Sequence, residues 1–86
     1  MQPLVDIVEF IPVGAVIYHK PRDHYYRVVY KTMMKKEDGG WEYGWSYQEV
    51  TLVNRVHDEM VFEPSENKEI YSRAFAKFDS DWHLAY

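Results

Sequence analysis

Residues 41-WEYGWSYQEV-50 place Trp41, Tyr43, Trp45 and Tyr47 at every second position, with Glu42, Gly44, Ser46 and Gln48 between them. A period of two is that of a β-strand, whose successive side chains point to opposite faces. Rings two residues apart lie roughly 7 Å apart on one face, so the four would form a continuous strip. Exposed, such a strip stacks nucleobases at about 1–3 kcal/mol per base, or cradles a proline-rich peptide. Buried, each ring contributes roughly 1.5–3 kcal/mol by transfer out of water. The small and polar residues on the opposite face must meet solvent. The aromatic face is therefore expected to be a core wall, partly exposed at the strand's ends, with Gly44 marking a kink.

The flanking sequence punctuates into hairpins. Lys20-Pro21-Arg22-Asp23 puts proline where a turn needs its fixed φ, Asp38-Gly39-Gly40 supplies positive-φ residues, and Pro64-Ser65-Glu66-Asn67 forms a third turn. Between them, residues 15–19, 24–32, 41–48 and 59–63 read as strands, and a last strand opens at Ile70-Tyr71. Tyr26, Val28 and Tyr30 are expected on one face, with Arg27 and Lys31 on the other. Parity changes after Tyr47, because Val50 and Leu52 are even-numbered; a bulge near Glu49, or two separate strands, would account for it. Leu4, Ile7, Val8 and Ile11 fit a helical stripe, but β-branching between Pro3 and Pro12 favours a strand there. Phe75, Phe78 and Trp82 have the spacing of a short helical turn packed on the sheet.

The expected fold is mainly β, one domain over residues 1–86. It is a five- to six-stranded antiparallel meander closing into a barrel like that of SH3 domains, with a short helical turn near the C-terminus. Closure would remove the sheet edges that otherwise invite aggregation.

Eighty-six residues hold one core, and 47% hydrophobic with 28% charged residues is a globular composition. There are no cysteines, which favours a reducing, cytoplasmic setting. The first residues, MQPLVDIVEF, lack the basic region of a signal peptide, and no apolar run approaches the ~20 residues of a membrane span. The net charge of −4 is unevenly divided: residues 20–36 hold six of the ten basic side chains against one acid, Asp23.

Two pieces, 18-YHKPRDHYYRVV-29 and 59-EMVFEPSENKEIYSRAFAKF-78, resemble a family of short bacterial and phage proteins. That family joins a Tyr-His-Lys strand end and a Tyr-x-Val strand to a later Arg-Pro and, five residues past the arginine, a phenylalanine. Arg73 and Phe78 keep that spacing, whereas Ala74 replaces the proline. The resemblance covers about 40 residues. It implies a compact β-fold of bacterial or phage origin and no chemistry, since the family has no established activity.

Candidate sites follow from residue type. Arg22, Arg27 and Lys31, with Lys35 and Lys36, could track phosphates while Tyr25 or Trp41 stacks bases. Trp41 and Tyr43 could instead dock a protein partner. Glu63, Glu66, Asp79 and Asp81 form an acidic set suited to a basic groove. His19 and His24 flank a turn and His57-Asp58 adjoin, but adjacent strand residues diverge, and there is no HExxH and no cysteine, so no metal is expected. No nucleophile–base pairing or phosphate loop can be read, so neither an enzyme nor a cofactor is expected. The expected function is a non-catalytic protein-interaction module; the alternative is single-stranded nucleic-acid binding through residues 20–36. Self-association through an exposed strip or open edge is a further possibility, and no membrane contact is expected.

Overall fold

A computed structural model describes residues 1–86. Seven strands form one antiparallel sheet: β1 (Gln2–Pro3), β2 (Val16–His19), β3 (His24–Lys35), β4 (Trp41–Val56), β5 (Glu59–Pro64), β6 (Ile70–Ala74) and β7 (Trp82–Leu84). Their order is β1-β7-β2-β3-β4-β5, with β6 also on β4. No helix is long and apolar enough to cross a membrane.

The long alternating run is one uninterrupted 16-residue strand, β4. It pairs with β3 over its first ten residues, from Lys35 opposite Trp41 to Tyr25 opposite Val50. Its other edge is shared end to end: β5 covers Val50–Val56 and β6 covers Gly44–Gln48. The chain thus runs back along β4 once, interrupted by a loop over residues 65–69. That loop is pinned opposite Glu49, whose carbonyl accepts the Ser65 amide and whose carboxylate accepts the Ser65 hydroxyl at 2.6 Å.

The sheet does not close into a barrel, because neither β5 nor β6 pairs with β1. Nor is it a simple meander, since β7 lies between β1 and β2. A strand of 16 residues spans about 50 Å, and the molecule is correspondingly drawn out to 46 × 27 × 23 Å. The core underlies only part of that length.

One face of the sheet carries the core: Ile17, Tyr26, Val28, Trp45, Tyr47 and Trp82, covered by Leu4, Val8, Ile11 and Phe78. Tyr26, Tyr47, Phe78 and Trp82 meet edge to face or tilted, with ring centroids 5.0–6.0 Å apart, the geometry their quadrupoles favour. The N-terminal segment is not a strand. It folds into tight turns and a 3-10 turn at Val8–Phe10, closed by Ile7 N–H to Leu4 O and Phe10 N–H to Ile7 O. Turns of three to four residues keep Leu4, Val8 and Ile11 facing inward, so burial of that stripe outweighed β-branching. The expected turn at Phe75–Lys77 is also 3-10.

Parity shifts occur elsewhere than Glu49. Register slips at Val29 of β3 and Val53 of β4, while pairing through Glu49 is regular. The bulge at Val29 reverses the expected facing beyond it. Lys31 then lies opposite Trp45 on the core face, and Tyr30 opposite Ser46 on the other. Val50 and Leu52 are even-numbered because they belong to a second, smaller cluster on that other face, where Tyr25 meets Tyr18 at 4.7 Å and Phe62 at 5.3 Å. Gly44 is required by close approach: a β-carbon there would overlap the Arg73 carbonyl and come within 2.8 Å of the Ala74 Cα.

Candidate functional site

The aromatic row is divided. Trp45 and Tyr47 are buried, whereas Trp41 is 61% and Tyr43 52% exposed. All four keep one facing, but β4 outruns the core. The termini supply Leu4, Phe78 and Trp82 as bulk, so the outer pair of rings is not needed inside.

Where the core ends, a groove of about 650 Å³ opens between the β3–β4 hairpin and the two segments that cover the core. Tyr43 and Lys31 form its sheet side; Val5, Phe10 and Phe75 form the opposite wall. Phe10 is 80% exposed. The Lys31 ammonium stands 4.3 Å from the Tyr43 ring centre and 5.9 Å from that of Phe75, a cation–π arrangement that holds a charge over an apolar floor. Phe75 packs on Trp45 at 5.4 Å, and the Trp45 indole N–H donates to the Val8 carbonyl at 2.6 Å. The groove is thus built on the core's own margin.

Val5 and Phe10 were not predicted from the sequence as site residues. Their signal is there in retrospect: they are apolar residues at the positions that the Leu4–Val8–Ile11 stripe turns to solvent.

The structure disperses the other candidates. Arg22 lies in the turn before β3. Arg27 reaches back to donate to the Gly14 carbonyl at 2.9 Å, and the Val29 bulge leaves it on the face opposite Lys31. Tyr25 is occupied in the second cluster. Glu63 is the last residue but one of β5 and Glu66 lies in the following loop, while Asp79 and Asp81 shape the turn into β7, where the Asp79 carboxylate accepts the Asp81 amide. No hydrogen bond or ion pair links the two acidic pairs.

The closest approach of a basic side chain to a carboxylate is that of His24 Nδ1 to Glu49 Oε1, at 3.3 Å. With Ser65 on the other carboxylate oxygen, serine, glutamate and histidine come together, but the carboxylate stands between the other two. In a hydrolase triad the imidazole holds that place. The Ser65 hydroxyl also accepts the Asn67 amide, which makes it a loop fastener. No group of three or more histidine and acidic side chains is placed to hold a metal ion.

Three side chains have displaced pKa values. The Tyr18 hydroxyl donates to Asp23 at 2.6 Å, and that bond, with lesser help from desolvation and the carboxylate's charge, pushes its pKa up to about 12. Burial lowers that of His19, with the Arg22 charge adding to it, and burial raises that of Tyr26. His19 packs on Trp82 at 4.6 Å and its Nδ1 has no partner.

The chain matches no protein-family model, no curated protein and no solved structure.

Proposed function

We propose that this protein is a non-catalytic interaction module that binds a protein partner through the exposed aromatics at the margin of its core. One observation carries the reading. Tyr43 and Phe10 stand largely in water around one groove, and Trp41 is exposed two residues before Tyr43 on the same strand, in a chain that hides its other tryptophans almost completely. Leaving such rings exposed forgoes burial worth roughly 1.5–3 kcal/mol each. Clustered exposed apolar surface marks interaction sites, and tryptophan and tyrosine dominate binding energy there. A bacterial or phage origin and a cytoplasmic setting belong to the same proposal.

The acidic residues support it less, because they are divided between two turns. Single-stranded nucleic-acid binding, the alternative, has in its favour Lys31, Trp41 and Tyr43 on one side of the hairpin. Against it, Arg22 lies in the turn before the 12-residue strand β3 and Lys35 at its far end, and Arg27 faces away.

The test is site-specific photo-crosslinking, with a photoreactive phenylalanine at Tyr43, at Phe10 and, as a control, at His57. A discrete protein adduct from positions 43 and 10 alone is expected. Adducts to nucleic acid, or equal labelling from position 57, would refute the module reading.

A further inference from the structure

The two long strands are treated differently along their outer edges. β4 is covered from Gly44 to Val56, by β6 and then by β5 in line with it. β3 is covered only in its first half. β2 pairs with His24–Arg27, and Ala15 and Gly14 engage the amide and carbonyl of Val28. From Val29 to Lys35, β3 is paired with β4 alone, and no turn or loop hydrogen bond reaches its other side. Outward amides and carbonyls are thus left for water along a strand that runs on past its cover from Val29 to Lys35, beside the groove that holds Lys31 and Tyr43.

An open edge of this kind accepts an added strand. The side chains along it restrict which strand. Residues 30-YKTMMKK-36 contain three lysines and no acid, and none of the three has a carboxylate within ion-pair distance. On the groove face the order is Lys31, Met33, Lys35, opposite Trp45, Tyr43 and Trp41. A second copy offering the same edge would set lysines near lysines, and like charges across strands are destabilising. Edge lysines are a common guard against such self-pairing. An incoming strand with acid, apolar and acid side chains at alternate positions meets Lys31, Met33 and Lys35 with complementary groups.

We propose that the Tyr30–Lys35 edge of β3 takes up an extended, acidic segment of a protein partner as an added strand. It would lie in line with β2, as β6 lies in line with β5, with its carboxylates on Lys31 and Lys35. This rests on the reading of the protein as a protein-binding module and names the chemistry of the partner.

The experiment uses two soluble peptides, one alternating glutamate with valine and one alternating lysine with valine, added to the full chain. Amide NMR shifts and hydrogen exchange are read residue by residue. The acidic peptide is expected to shift amides of residues 29–35 and slow their exchange. It should bind about tenfold or more tightly than the basic peptide and weaken as salt rises. The double variant Lys31→Glu, Lys35→Glu, altered only at exposed positions, should reverse the preference. Equal response to both peptides, shifts confined to other strands, or no response to the acidic peptide would overturn the proposal. So would protection of the same amides by a dimer of the chain, or by single-stranded DNA in place of the peptide. If the photo-crosslinked protein adduct at Tyr43 persists in the double variant, the module reading stands and only the acidic-strand assignment falls.

Discussion

The Trp45 indole N–H donates to the Val8 carbonyl, 37 residues away, in a buried 2.6 Å hydrogen bond that ties the middle of the long strand to the N-terminal turn. A buried carbonyl that loses its donor costs about 1–3 kcal/mol. Trp45→Phe removes that donor and leaves a gap against Phe75. It is expected to lower unfolding stability by about 2–4 kcal/mol in urea denaturation. An unchanged midpoint would mean the bond does not hold the turn.

Gly44 makes a different demand. β6 approaches so closely that a methyl group at position 44 meets the Arg73–Ala74 backbone, which cannot move aside as a flexible side-chain end would. Gly44→Ala should cost roughly 1–3 kcal/mol. Its distinctive mark is local: amide exchange should quicken at Ile70–Ala74, while β2 and the first half of β3 stay protected.

The divided row predicts divided tryptophans. In variants that retain one tryptophan each, Trp41 fluorescence should be quenched readily by acrylamide, and that of Trp45 and Trp82 should be protected. Trp41→Ala should change stability by less than about 0.5 kcal/mol, as surface substitutions do. Tyr47→Ala, which opens the core beside Tyr26, Phe78 and Trp82, should cost about 3–5 kcal/mol. Equal quenching of all three tryptophans would remove the basis for the groove.

Much of the fold was legible because it depends on local rules. The period of two in 41–48, the glycines at 39–40 and Pro21 marked strands and turns that the structure bears out, whereas Pro64 ends β5 and the loop after it carries the chain on in the same direction into β6. The readings that failed depended on distant partners. Closure was inferred from the need to hide edges, yet this chain covers β4 with two strands in line and leaves half of β3 bare. The β4–β5 turn was silent in the sequence because His57 and Asp58, both at positive φ, stand where glycine or asparagine usually gives the signal. The bulge at Val29 leaves no residue signature, so the facing of Lys31 could not be read. The aromatic row was expected to be a core wall with rings partly exposed at the strand's ends; the exposure reaches further than that, taking in both Trp41 and Tyr43, because Leu4, Phe78 and Trp82 fill the core from the termini.

His19 gives the pH dependence its direction. Its ring packs on Trp82, and burial there, helped by the positive charges of Arg22 and Arg73, outweighs the opposing pull of Asp81 and Asp79, so its pKa falls below the usual 6.5. The unfolded chain then binds a proton over a range of pH in which the folded chain does not. Stability contributed by this residue is therefore full above about pH 6.5 and declines as pH drops from there towards the lowered value. The ring's NMR titration should show a midpoint below 6.5, and the acid-side loss of stability should shrink in His19→Gln relative to the parent. A midpoint at or above 6.5, or identical pH profiles for the two proteins, would show that the contact with Trp82 does not hold the imidazole neutral.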